Sequence, residues 1–237
     1  MIAVTLDRPW LAARLPRPMR VLSWAPFGAG YRRTDLILWR EVRNADLTPG
    51  FDAEGWLQSQ MPDPLAVGML TSRDVGTFTV AEAGVEGIRA ACVATLGLSN
   101  AESVGRRLPY HSADYGTINL AVAVGAALTE AAQLEAMSIA VQARTAAVME
   151  EGLVLDTGTA TGTGTDCVAL ACDEGAGRYA GLHTPLGEAV GAAVRGAVAQ
   201  AAADWMRWRE AERARGGGGG GGGRPPPRRE ARGLRGG

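Results

Sequence analysis

Asp156-Thr-Gly-Thr-Ala-Thr-Gly-Thr-Gly-Thr-Asp166 runs without a break into Cys167-Val-Ala-Leu-Ala-Cys172. Threonine and glycine alternate, a carboxylate closes the run, and an apolar segment follows at once, which predicts a polar loop feeding a buried strand. Glycine lets the backbone turn sharply and approach a ligand closely. Threonine hydroxyls and freed amide N–H groups can then bond oxygen-rich or amide-bearing ligands. The same residues also suit a loop in which Asp166 only bonds the backbone of its own turn. The stretch alone leaves both readings open.

Helical patterns lie on either side of it. Upstream, a helix starts near Thr129 and ends at Gly152, and Leu134, Met137, Val141 and Val148 recur at helical spacing as one buried stripe. Downstream, Thr184-Pro185 opens a second helix, with Thr184 as its N-cap and Pro185 in its first turn. Leu186, Val190, Val194, Val198, Ala201, Trp205 and Trp208 fall on one face of it, and Gly187 and Gly191 would let that face approach a sheet. Glu188, Arg195 and Gln200 interrupt the run, so it is not a membrane span.

The first half of the chain reads as strands. Residues 2–6 and 10–15 are short apolar pieces broken by Pro9 and Pro16. Met19-Arg-Val-Leu-Ser-Trp24 and Asp35-Leu-Ile-Leu-Trp-Arg-Glu-Val42 read as a hairpin-like pair joined through Phe27-Gly-Ala-Gly30. Asp52 caps a short helix that Pro62 stops. Ala66-Val-Gly-Met-Leu-Thr71, Thr77-Phe-Thr-Val80, Arg89-Ala-Ala-Cys-Val-Ala-Thr-Leu96 and Ile118-Asn-Leu-Ala-Val-Ala-Val124 follow as further strands. Strands first and helices later is the α+β pattern: a mostly antiparallel sheet with two long helices packed on one face.

Composition narrows the function. The 237 residues, 46% hydrophobic, suffice for one domain over residues 1–214 and a tail over 215–237. That tail holds Arg215, a run of eight glycines, three prolines and five more arginines against one glutamate. It cannot bury enough apolar surface to offset the entropy of ordering, and reads as disordered. It carries +5 of a net charge of −1, so the rest of the chain carries −6, which argues against a nucleic-acid surface on the folded part. All 24 basic residues are arginine, which excludes a Schiff-base lysine, a Ser–Lys dyad and a P-loop lysine. Two histidines, His111 and His183, cannot build a multi-histidine metal site, and the three cysteines form no CxxC pair. No metal and no cofactor are therefore expected. Cys92, Cys167 and Cys172 read as buried free thiols, with Cys167 and Cys172 on opposite faces of a strand. The N-terminus carries no signal-peptide pattern, which points to the cytoplasm.

The order of segments resembles the adenosylcobinamide amidohydrolase family of corrinoid salvage. The resemblance lies in Leu22-Ser23 with Gly28-Ala-Gly30, Val67-Gly-Met-Leu-Thr71, Gly97-Leu-Ser-Asn-Ala101 and Gly116-Thr-Ile-Asn119. It continues in Gln142-Ala-Arg-Thr-Ala146, Ala160-Thr-Gly-Thr-Gly-Thr-Asp166 and Leu186-Gly-Glu188, and spans roughly residues 18 to 200. Each motif alone is weak; their order is what is specific. Trp39 stands where the family pattern has asparagine, and Gln142 and Arg144 stand in place of a glutamate and a lysine. The second change keeps a cation and drops a carboxylate, which turns that helix towards packing.

The resemblance implies hydrolysis of one amide of adenosylcobinamide, releasing 1-aminopropan-2-ol and adenosylcobyric acid. Such chemistry needs an activated water or nucleophile, donors for the developing oxyanion and an acid for the departing amine. On that footing Asp166 is expected as base or orienting carboxylate, His183 as proton shuttle, and Ser99 as a catalytic hydroxyl. Thr163, Gly164, Thr165, Asn100, Asn119, Thr71 and Gly30 are expected to bind substrate. His111 lies in a polar segment and reads as a surface residue. Direct hydroxyl attack and activated water both remain open. A dinucleotide site at Gly162-Thr-Gly164 lacks its third glycine and leads into a strand rather than a helix. A corrinoid-binding protein without turnover would keep the same loops. An RNA-associated protein would rest on the tail alone. No nucleic-acid or membrane partner is expected, while the outer faces of the long helices could support a dimer.

Overall fold

The structure is a computed structural model and describes residues 1–43, 50–107 and 116–216. It is an α+β arrangement. Twelve strands are assigned among these residues: β1 Ala3–Asp7, β2 Trp10–Ser23, β3 Gly30–Glu41, β4 Val67–Thr71, β5 Thr79–Val85, β6 Ile88–Leu96, β7 Ala101–Glu102, β8 Ile118–Leu128, β9 Val154–Leu155, β10 Gly158–Thr159, β11 Gly162–Thr163 and β12 Cys167–Glu174. Three α-helices accompany them: α1 Ala53–Gln60, α2 Glu130–Glu150 and α3 Pro185–Gly216. Of the expected tail, only Arg215 and Gly216 are described, as the end of α3; the rest, like His111, lies outside the described residues.

The main sheet has eight strands in the order β4-β3-β2-β12-β8-β6-β5, with β1 added to β2. It is mixed, which corrects the expectation of a mostly antiparallel sheet. β3 and β4 run parallel, as do β8 and β12; the other neighbours are antiparallel. Both parallel pairs have a helix between their strands, α1 in one and α2 in the other. A helical crossover returns the chain to the end it started from, so the second strand must run with the first. β12 is sequentially the last strand of the sheet, yet it sits between β2 and β8.

The sheet's two faces have different cover. Even-numbered residues of β6, β8 and β12 (Cys92, Leu120, Val122, Leu170, Cys172) share a core with buried residues of α2 and α3. Odd-numbered residues (Val93, Ala121, Ala123, Ala169, Ala171) share a second core with Leu11, Met19, Ile37, Trp39 and Met69 of β2, β3 and β4. The second core exists because the long β2–β3 ribbon bends: its register shifts between Arg14 and Met19, where Pro16 and Pro18 have no N–H to give. The bend carries β4 across the inner face. There Phe27 and Gly68 exchange backbone bonds, and the Asn119 amide donates to the Leu70 carbonyl at 2.8 Å.

Caps fix the helix starts. The side chains of Asp52, Thr129 and Thr184 accept from the backbone N–H groups of Gly55, Ala132 and Gly187, each worth about 1 kcal/mol. Alanines form much of the buried side of α2: Ala132, Ala136, Ala140, Ala143 and Ala147 lie there with Gln133, Met137, Ile139 and Val148. Leu134, which spacing places in that stripe, is 55% exposed. In α3, Gly187 does face a close neighbour, but it is the 180–181 backbone and not the sheet; a Cβ there would meet the Gly181 carbonyl oxygen at 2.2 Å. Gly191 faces Ile139 of α2.

Candidate active site

Asp166 ends the Thr-Gly run just before β12, and its carboxylate is 6% exposed. Burying an ion this far is costly unless its oxygens are occupied. Here both are. Oδ2 accepts from the Arg144 guanidinium at 2.5 Å and from the Thr163 N–H at 3.0 Å, while Oδ1 accepts from the Ile118 N–H at 3.0 Å and from the Thr163 hydroxyl. One carboxylate thus ties together β8, β11 and α2. Burial pushes its pKa above the ordinary range, and Arg144 and the Thr163 and Ile118 donors pull against that. This is the local bonding that the loop alone allowed, extended to two other segments.

Arg144 is the residue that sequence reasoning set aside. Its side chain is 12% exposed, and its other bond goes to the Thr145 hydroxyl. Beyond the packing expected of this helix, α2 supplies the counter-ion of Asp166. The signal was present, since a lone arginine among Ala143, Ala146 and Ala147 is an unusual residue for a buried helix face.

Around this pair the tips of several segments gather. Thr165 donates from its hydroxyl to the Gly116 carbonyl at 3.1 Å, and the Thr117 hydroxyl reaches the Thr165 carbonyl at 2.8 Å. Gly116 is packed so closely against the 97–100 turn that a Cβ would fall 2.7 Å from the Gly97 carbonyl oxygen and 2.8 Å from Asn100 Oδ1. Only glycine allows that approach. Ser99 is exposed on this turn, and Asn100 Oδ1 is buried with no hydrogen-bond partner among the described residues. Gly164 and Thr165 form the exposed tip of the Thr-Gly loop. Trp24, just past β2, donates from Nε1 to the Asp166 carbonyl at 2.6 Å.

The expected residues therefore divide. Asp166, Thr163, Gly164, Thr165, Ser99 and Asn100 stand together, and Gly30 opens β3 opposite Ser23 on the same rim. Asn119 and Thr71 belong to the inner core beneath it. Asn119 is 0% exposed, and its amide is occupied by the Leu70 carbonyl and the Thr117 hydroxyl. Thr71 is equally buried, and its hydroxyl oxygen accepts from the Arg73 N–H. His183 is elsewhere. Its loop is pinned to Glu135, whose carboxylate accepts from the Ala180 N–H, nine residues along α2 from Arg144, or about 13 Å at ~1.5 Å per residue. A cleft of about 300 Å³ between Met1, Arg17, Met19, Asp173 and residues 123–127 lies at that other end of β8 and contains none of the candidate residues. Among the described residues, no three His, Cys, Asp or Glu side chains are grouped to hold a metal ion. No helix among them is long and apolar enough to cross a membrane.

Comparison with known proteins settles what kind of chain this is. The family model described as adenosylcobinamide amidohydrolase matches residues 2–210. The chain belongs to the adenosylcobinamide amidohydrolase family. A curated protein from Halobacterium salinarum, named adenosylcobinamide amidohydrolase, is 38% identical to this family member over 116 residues, 46% of this chain and 48% of the relative. The matched stretch thus spans about half the length of that relative. Among solved structures, the PH0078 protein from Pyrococcus horikoshii OT3 aligns over 84% of this chain and 82% of its own, at 12% identity and a TM-score of 0.40.

Proposed function

We propose that this chain hydrolyses the aminopropanol amide of adenosylcobinamide, giving adenosylcobyric acid and 1-aminopropan-2-ol in corrinoid salvage. The observation that carries the reading is the family match over residues 2–210, and the Asp166-centred cluster with its exposed loop tip supports it. Water adds across the amide: its oxygen ends on the acyl carbon, the C–N bond breaks, and the amine leaves with a proton. In this reading Asp166 is the orienting carboxylate. Four donors already occupy its oxygens, so its task is to hold the 163–165 loop in shape. The exposed Gly164 and Thr165 tip presents N–H groups to the carbonyl oxygen as it gains negative charge. Ser99 provides the hydroxyl, as nucleophile or as the group that positions a water, and Asn100 contributes to binding through the turn that carries Ser99. Asn119 and Thr71 support this rim from beneath, and His183 has no part in it.

The occupied oxygens of Asp166 also favour a second reading, a corrinoid-binding protein that turns nothing over. One experiment separates the two. Purified protein is incubated with adenosylcobinamide and the products are read by mass spectrometry, beside Asp166→Asn and Ser99→Ala. Release of aminopropanol that both substitutions abolish supports the enzyme. Binding without release supports the binder, and release at unchanged rate in both variants removes the assigned roles.

A further inference from the structure

Trp24 does not behave like an ordinary surface aromatic. Its only polar atom is already used, because Nε1–H is bonded to the carbonyl of Asp166, yet the residue is 45% exposed. An indole held by its N–H presents only its ring face to a visitor, and that face is apolar and π-rich. The bond also fixes the ring's place. It hangs from the same residue whose carboxylate shapes the Thr-Gly loop, so the ring and the hydrogen-bonding tip at Gly164 and Thr165 are set relative to each other. The Ser23 side chain accepts from the Ala25 N–H at 3.1 Å and braces the backbone on either side of Trp24.

The geometry points to Trp24 as a stacking platform for a flat, amide-fringed macrocycle, whose ring lies on the indole while its peripheral carboxamides meet the Gly164–Thr165 tip. The macrocycle is taken to be a corrin, which rests on the proposed function; the platform itself rests on the exposed, N–H-anchored ring. Stacking needs a plane and not merely apolar bulk. A flat replacement therefore keeps the contact and a branched aliphatic one loses it.

Equilibrium dialysis of cobinamide against the full chain, read by corrinoid absorbance, tests this. Trp24→Leu is expected to weaken binding about 10-fold or more, from the loss of ring stacking and of buried aromatic area. Trp24→Phe keeps a plane but loses the N–H that anchors it to the Asp166 carbonyl, so its affinity should fall between those of wild type and Trp24→Leu. Tyr179→Ala, 70% exposed on the His183 loop, controls for surface changes and should bind as wild type. With adenosylcobinamide as substrate, Trp24→Leu should raise KM and leave kcat in place, a split that loosened folding would not give. Wild-type affinity in Trp24→Leu overturns the platform while leaving the proposed activity intact. Absence of corrinoid binding by the wild-type chain overturns both.

Discussion

Replacing Arg144 with methionine keeps a long side chain on α2 and removes the cation facing Asp166. The pair is nearly sealed from solvent, with side chains 12% and 6% exposed, so water cannot stand in for the lost charge. Breaking a buried ion pair from one side costs about 3–5 kcal/mol. Asp166 keeps the two Thr163 donors and the Ile118 N–H, which places the cost near the lower end, about 3 kcal/mol. For a chain of this size that is a fall of about 6–12 °C in the thermal midpoint. The pH dependence follows from the same pair. Burial holds the Asp166 carboxyl above its ordinary value, and Arg144 is the leading influence against that rise. A raised carboxyl favours the fold when protonated, and that contribution is lost as pH rises from the unfolded value of about 3.9 through the folded one. Without Arg144 the folded value climbs further, so the stability gap between variant and wild type should widen with rising pH and narrow towards pH ~4. Circular-dichroism melts of wild type, Arg144→Met, Asp166→Asn and the double variant across that range measure both effects. A coupling energy under about 0.5 kcal/mol, no more than distant sites show, together with a gap that ignores pH, would refute the reasoning.

Three further outcomes are expected. Gly28 has φ of +77°, and a Cβ there would sit 2.9 Å from the Ala66 carbonyl oxygen; Gly28→Ala should lower stability by about 1–3 kcal/mol in urea titrations, and a neutral result would mean that the β2–β3 turn relaxes freely. All three cysteines are buried free thiols, and burial raises each, Cys167 to about 12; a thiol reagent at pH 8 should label none in the folded chain and all of them after denaturation. Rapid labelling of native protein would contradict the burial of Cys92, Cys167 and Cys172. His183→Ala should leave turnover of adenosylcobinamide at the wild-type rate, because the loop that carries it is pinned near the other end of α2. A clear fall in kcat at an unchanged melting point would bring it back to the site.

How much of this was legible depends on whether a feature is local. The helix starts were, since Asp52, Thr129 and Thr184 cap through bonds within three residues of themselves. The 89–96 and 118–124 strands were, as continuous small apolar runs between polar turns. β2 was not seen whole: Pro16 reads as a breaker, but at a bulge its missing N–H costs nothing. Strand direction was missed because hairpin signals describe neighbours in sequence, whereas the parallel pairs β3–β4 and β8–β12 are joined through helices. In α2 the large residue at 134 drew the stripe outward, while the helix packs through its alanines. The Asp166 loop was legible as a unit. Its partner was not, because Arg144 is 22 residues away and matters only once α2 lies over the sheet. Asn119 looked like a ligand-binding amide, but it spends its bonds tying β4 to β8.

The place of β12 in the strand order bears on how the chain can be made. Until residue 174 has emerged from the ribosome, the segment that separates β2 from β8 is missing, and two half-sheets each present a long unpaired edge. Such edges are templates for pairing with other chains, and contacts this distant in sequence close slowly. A nascent chain stalled before Cys167 would therefore be a client for chaperones or a seed for aggregates. Release of the last third of the polypeptide converts the two exposed seams into the middle of one sheet.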